Sequence, residues 1–192
     1  MVVTSNTVPG IGAEAALGAE MVAGIDWVLD ENERMGSALY DRIDVDHIAG
    51  SGYSMGSLST FMMAMDPRLT TTVHISGGNM APERVNNLHA PAAFICGTSQ
   101  AGCTNILSGT CDIAAENCDM DFENAQTPVF YANFKAGHLG ILTPPFTEQI
   151  SGMMTAWLRH YMMGDTTIAD MFIGPDCDYC NDSAWKVQQK NF

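Results

Sequence analysis

The chain has 192 residues, of which 46% are hydrophobic and only 16% charged, enough for one packed α/β domain and unlike a disordered chain. Its formal net charge of −14 argues against nucleic acid and anionic membrane as partners. In chain order, Val2-Val3-Thr4 reads as a short strand and Val8 to Gly12 as a loop. From Ala13 to about Asn32 the pattern is helical, with Ala16, Met21, Val22, Ile25, Val28 and Leu29 as its apolar stripe. Asp41 to Asp46 is a polar connector. The stretch Ile48 to Ser57 begins like a strand and turns sharply at small residues, and Leu58 to Met65 reads as a helix stopped by Asp66-Pro67. The β-branched run Thr70 to Ile75 predicts a strand ending at Gly77-Gly78. Further strands are expected at Ala92 to Cys96 and at Val129 to Ala132, each after a proline. A helix is expected from Phe146 to Met163, with Ile150, Met153, Met154, Trp157 and Leu158 inward. The residues 165–192 read as an irregular tail. Short apolar strands separated by helices indicate a mostly parallel sheet covered on both faces, in a single domain spanning 1–192.

Six cysteines stand at Cys96, Cys103, Cys111, Cys118, Cys177 and Cys180. An even count in an acidic, lysine-poor chain suggests disulfides and an exported protein, with the connectivity open. Four of the six fall in or beside the long segment 97–127, which is expected to be both stapled and functional. Cys177-Asp178-Tyr179-Cys180 is a C-x-x-C, but it does not read as the start of a helix after a strand, which argues against redox catalysis. No second C-x-x-C or H-x-x-x-H completes a zinc site. Met1 to Ser5 lacks the basic start and apolar core of a signal peptide, so export implies a signal outside these residues. No apolar run approaches the roughly 18–20 residues of a membrane span.

The chemistry gathers at Gly52-Tyr53-Ser54-Met55-Gly56, the G-x-S-x-G of a nucleophile elbow between a strand and a helix. The strained turn lifts a serine hydroxyl clear of the sheet, and both glycines are expected to relieve clashes two residues either side of it. The helix that follows aims its first N–H groups at a reacting oxygen, with Met55 as one oxyanion donor. A serine nucleophile needs a base, and the base needs an orienting acid. Among five histidines, His138 lies in Lys135-Ala136-Gly137-His138-Leu139-Gly140, after a strand and among glycines. His74 reads as packed in or on a strand, His47 and His89 sit in connectors, and His160 reads as surface. For the acid, Gly97-Thr98-Ser99-Gln100 offers glutamine, whereas Gly109-Thr110-Cys111-Asp112 offers a carboxylate in the same kind of turn. Asp112 is therefore the first candidate, with Asp119, Asp121 and Glu123 in reserve. The loop Gly77 to Arg84 follows a strand at the carboxyl edge of the sheet and brings Asn79 and Met80 to the rim.

With these residues in place, the chain resembles the cutinase-like polyester hydrolases, the family that includes bacterial polyethylene terephthalate hydrolases. The segments that carry the resemblance are Gly24 to Leu29, Arg42-Ile43-Asp44, Gly52 to Gly56 with its methionine after the serine, Ala136-Gly137-His138, and Trp157 to Tyr161 followed by Gly164 to Thr167. The resemblance implies an α/β-hydrolase fold and a secreted serine esterase with a shallow, lidless site, no metal and no cofactor. It implies Ser54, Asp112 and His138 as triad and Met55 as an oxyanion donor, acting on short acyl esters and polyesters. Family members carry strands before the segment matching Met1, with a second oxyanion donor and an aromatic clamp. The resemblance thus implies an N-terminally truncated sheet here, covered by homo-oligomer formation. A non-catalytic scaffold and a polysaccharide acetyl or feruloyl esterase are the alternatives.

Overall fold

The computed structural model of the chain describes residues 1–4, 14–77, 82–97 and 115–192. Helix α1 (Glu14–Glu33) leads to strand β1 (Ile48–Tyr53), helix α2 (Met55–Met63) and strand β2 (Leu69–Ile75). A 3₁₀ turn (Pro82–Asn87) precedes strand β3 (Ala92–Gly97), which is followed by helix α3 (Ala115–Asn124) and strand β4 (Val129–Phe134). The one-turn helix α4 (Gly137–Gly140), the long helix α5 (Phe146–Met163), a second 3₁₀ turn (Thr166–Met171), the short helix α6 (Asp178–Asn181) and strand β5 (Lys186–Lys190) complete the chain. The five strands form one sheet in the order β1-β2-β3-β4-β5. The first three pairings are parallel, and β5 runs antiparallel along β4.

The two central strands explain why the apolar runs have no alternation. Every residue of β3 and β4 is buried, because both faces of the sheet are covered. Alternate residues feed two separate cores. Ala93, Ile95, Phe130, Ala132 and Phe134 meet Ile150, Met153 and Trp157 of α5. Ala92, Phe94, Cys96, Val129 and Tyr131 meet Phe61 of α2, Val85 and Leu88 near the first 3₁₀ turn, and Cys118 of α3. Trp157 places its indole N–H on Thr71 Oγ1 at 2.8 Å, so the largest buried ring leaves no unsatisfied donor. Helix α1 docks on α2 through Ile25, supported by Met21, Val22 and Leu29 against Met63 and Leu69. Arg68 reinforces that docking by spanning from Asp66 to Asp26 of α1, at 2.5 Å and 2.6 Å.

Two expectations need correction. Residues Val2 to Thr4 are exposed and form no strand; β-branching supplies propensity, but no strand among the described residues lends them hydrogen bonds. The tail is not irregular. Phe172, Cys177 and Trp185 are buried against the α5 side of the sheet, and β5 covers the outer edge of β4. Its sequence, Lys-Val-Gln-Gln-Lys, has one apolar residue and is a strand because β4 offers a free ladder; its lysines mark it as an edge. The C-x-x-C follows a 3₁₀ turn and not a strand, and Cys177 caps the one-turn α6, its sulfur accepting the Cys180 amide at 3.1 Å.

The segment 97–127 contains a helix, α3, that its acidic sequence does not announce. Cys118 and Ala125 are buried and Phe122 packs beside them. Two disulfides are described, Cys96–Cys118 from β3 to α3 and Cys177–Cys180 across the start of α6. They suggest an oxidising compartment. Cys103 and Cys111 lie outside the described residues. Among the described residues no helix is long and apolar enough to cross a membrane.

The docking of the tail has a direct test. Phe172 is fully buried and packs edge-on against both Phe130 and Trp157. Phe172→Ala should lower unfolding stability by about 3–5 kcal/mol in urea denaturation. A loss below about 1 kcal/mol would show that the tail contributes little to the core.

Candidate active site

Strand β1 ends at Tyr53, and the chain turns into α2 through Ser54, whose backbone stands at φ 55°, ψ −120°. A positive φ at a residue with a Cβ is strained by roughly 1–3 kcal/mol and persists only where its surroundings impose it. Here they do. The Ser54 amide donates to the Ile75 carbonyl of β2 at 2.9 Å. The Ser54 carbonyl accepts the amides of Ser57 and Leu58 at 3.0 and 3.3 Å. Ser54 occupies the N-cap position of α2, yet its side chain makes no capping bond. The unusual φ turns the hydroxyl away from the helix, and the bond that it makes instead runs to a histidine.

Glycine is required at two neighbouring positions, but not at both positions of the motif. A Cβ on Gly52 would stand 2.1 Å from the Gly56 carbonyl oxygen and 2.2 Å from its carbon. A Cβ on Gly77 would stand 2.1 Å from Ser57 Cβ and 2.7 Å from the Ser54 carbonyl oxygen, so the exit of β2 also presses on the turn. A Cβ on Gly56 would meet nothing within 4 Å. The expectation that both motif glycines relieve clashes is corrected here: Gly52 does, Gly56 does not.

His138 lies on α4, just past β4. Its Nε2 is 2.9 Å from Ser54 Oγ, and the residue is 7% exposed. Tyr53 holds the same histidine in two ways. Its hydroxyl donates to the His138 carbonyl oxygen at 2.8 Å, and its ring stacks on the imidazole with centroids 5.1 Å apart and planes 28° apart. Sequence reasoning missed this role. The signal was Tyr53's place beside the serine, where an aromatic of this length can span from one strand tip to a neighbouring loop.

The other four histidines are engaged elsewhere. His47 pairs with Asp44 on the surface at 2.8 Å. His89 and His160 each place Nδ1 on a main-chain oxygen, that of Ala64 at 2.8 Å and that of Asp165 at 3.0 Å. His74, on β2, is wholly enclosed beneath the elbow. Its Nδ1 lies 3.4 Å from Ser57 Oγ and its Nε2 3.0 Å from Thr72 Oγ1, between the rings of Phe61 and Phe94. Burial pushes its pKa down to about 3, so the ring is neutral at physiological pH.

Asp112, Asn79 and Met80 lie outside the described residues. Asp119, Asp121 and Glu123 all stand on α3; Asp121 is buried, Asp119 half-buried and Glu123 exposed. None of the three makes a described contact with His138. Met55 is the first residue of α2, where amides have no intrahelical acceptor. Among the described residues no group of three or more His, Cys, Asp or Glu side chains is arranged to hold a metal. In sequence the chain matches no family model and no curated protein.

The arrangement gives two expected outcomes. Gly52→Ala should destabilise the fold by about 3 kcal/mol or more, because the neighbour it meets is backbone. Gly56→Ala should be neutral or gain up to about 1 kcal/mol, as alanine replaces glycine within a helix. Equal losses at the two sites in chemical denaturation would contradict this geometry.

The second concerns pH. The unfolded chain binds a proton at His74 near the ordinary imidazole value of 6.5, and the folded chain resists it down to about 3. The unfolded state therefore holds more protons in that window, and stability is lost as pH falls from 6.5 towards 3. Between pH 7 and pH 4 the loss from this one group is roughly 3 kcal/mol. His74→Phe should flatten the dependence, whatever its effect at neutral pH; an unchanged slope of stability against pH would rule His74 out as its source.

Proposed function

We propose that this protein is a serine hydrolase of carboxylic esters, a cutinase-like polyester hydrolase built on the α/β-hydrolase arrangement. The observation that carries the reading is the 2.9 Å contact between Ser54 Oγ and His138 Nε2 at a strained strand-to-helix turn. The chain order of serine, acid and histidine fits that arrangement when Asp112 supplies the acid. The two disulfides fit a secreted protein.

The chemistry follows from the geometry. His138 Nε2 takes the hydroxyl proton as Ser54 Oγ bonds to the ester carbonyl carbon. The carbonyl π pair moves onto oxygen, where the Met55 N–H stabilises the charge. When the tetrahedral species collapses, the C–O bond to the alcohol breaks. His138 returns its proton to the leaving alkoxide, and an acyl-serine remains. Water then attacks the acyl carbon, with His138 taking one of its protons. The second collapse releases the carboxylic acid and returns that proton to Ser54. Asp112 keeps the imidazole in the required tautomer and stabilises the imidazolium. The substrates are short acyl esters, and polyesters such as cutin or polyethylene terephthalate.

Hydrolysis of p-nitrophenyl butyrate tests the reading. Ser54→Ala should lower kcat by on the order of 10⁴-fold or more, and His138→Ala similarly. Asp112→Asn should cut the rate strongly and Asp119→Asn should not; the reverse would move the acid to α3. Activity unchanged by Ser54→Ala would remove the serine mechanism.

A further inference from the structure

We infer that Tyr53 is a positioning residue of this site: it clamps His138 to the tip of β1 and thereby helps set the distance from imidazole to Ser54. The inference rests on the serine-hydrolase reading above.

The sheet poses the problem that Tyr53 solves. Ser54 follows β1 and His138 follows β4, and β2 and β3 lie between them. Three inter-strand steps of about 4.8 Å separate the two strand ends by roughly 14 Å. A proton transfer between the side chains needs them at hydrogen-bond distance. Ser54 cannot move to meet its partner, because the Ile75 carbonyl and the first turn of α2 fix its backbone. The histidine must therefore be carried back across the top of the sheet.

The described hydrogen bonds within the histidine loop are local. Ala136 donates to the Phe134 carbonyl at 2.9 Å, Leu142 to that of Leu139 at 3.1 Å, and Thr143 to that of Gly140 at 3.0 Å. Such bonds shape the loop without placing it relative to β1. Ala136 and Ile141 sink into the α5-side core and seat the loop on the sheet. From His138 itself, described contacts reach two adjacent residues at the tip of β1. One is the Ser54–His138 bond itself, whose proton moves during the reaction. The other is Tyr53, whose hydroxyl holds the main chain of His138 and whose ring lies along the imidazole face. The main-chain bond fixes where the histidine is, and the stacking restricts how its ring turns. Neither uses Nε2 as donor or acceptor, so the clamp persists while the proton travels. Because Tyr53 and Ser54 are neighbours in sequence, nucleophile and clamp share one rigid strand end.

A small misplacement of a base costs rate more than binding, so the expected signature is in the chemical step. The experiment compares wild type, Tyr53→Phe, Tyr53→Leu and Ser54→Ala. It measures the second-order rate of Ser54 phosphonylation by a fluorophosphonate probe, kcat and KM for p-nitrophenyl butyrate, and melting temperature. Tyr53→Phe keeps the stacked ring and loses the main-chain bond. It should phosphonylate on the order of tenfold more slowly and lose kcat in proportion, with KM within about twofold. Tyr53→Leu loses both contacts and should be slower again. All assays are run well below the lowest melting temperature of the set. A wild-type rate in Tyr53→Phe, or a loss confined to KM, would overturn the positioning role while leaving the serine mechanism standing. A rate loss that vanishes when the variant is assayed at lower temperature would make Tyr53 a stabilising residue only, and would also overturn it. Wild type that is not labelled at Ser54, or Ser54→Ala labelled as fast as wild type, would overturn the hydrolase reading and this inference with it.

Discussion

The turn at Ser54 is the constraint around which the rest of this molecule is arranged. A residue with a side chain is held at positive φ, and that conformation has to be imposed by neighbours. Three different elements impose it. β2 supplies a carbonyl for the Ser54 amide, α2 supplies two amides for its carbonyl, and the main chain of Gly56 closes against Gly52 with no room for a Cβ. The consequence is chemical. An N-cap serine ordinarily spends its hydroxyl on the first turn of the helix. This one does not, and so its oxygen is left for His138.

The parallel sheet supplies the rigidity that such a turn requires. β3 and β4 are buried on both faces, with α5 on one side and α2 and α3 on the other, so neither can shift without opening a core. The outer edge of β4 is closed by β5, and the residues between α5 and β5 fold back to fill the same core as α5. Lys190 at the end of β5 reaches the Glu123 carbonyl of α3 at 2.9 Å and lies over the ring of Phe122, tying the edge strand to the opposite layer. The strand that carries the histidine loop is thus braced on both sides. β1, by contrast, pairs with β2 alone among the described strands, and its residues are mostly half-buried. The serine therefore stands on the less enclosed strand.

The parts of this structure legible in the sequence are those fixed by local physics. The β-branched run of β2, the apolar runs of β3 and β4, and the stripe of α5 each bury a surface that their own residues define. Their expected and observed limits differ by no more than two residues. The sharp turn at Ser54 was legible through Gly52, whose place has a steric cause, whereas Gly56 has none; that His138 would lie beside Ser54 was suggested by its place after a strand among glycines. What was not legible depends on partners distant in sequence. β5 has no strand pattern of its own and exists through the edge of β4. The burial of Phe172, Cys177 and Trp185 follows from where α5 leaves a gap, which no window of residues reveals. Val2 to Thr4 shows the converse, a strand composition with no strand among the described residues beside it. Tyr53 and His138 are 85 positions apart, and nothing local to either announces that they touch.

The buried histidine beneath the elbow shows what this geometry demands of the core. Directly under Ser54, where an apolar side chain would pack most simply, the chain places Ser57, Thr72 and His74, all nearly or fully enclosed. Their burial is tolerated because they satisfy one another and because Phe61 and Phe94 flank the imidazole. Ser57 is also the residue on which Gly77 presses, so its small side chain is what allows the exit of β2 to approach the turn. A larger apolar residue at that position would separate β2 from Ser54 and release the carbonyl that fixes the serine backbone. The polar cluster follows from the need for close packing there, and its liability to protonation is the consequence. Ser57 thus serves both the approach of β2 to the Ser54 turn and the enclosed ring of His74.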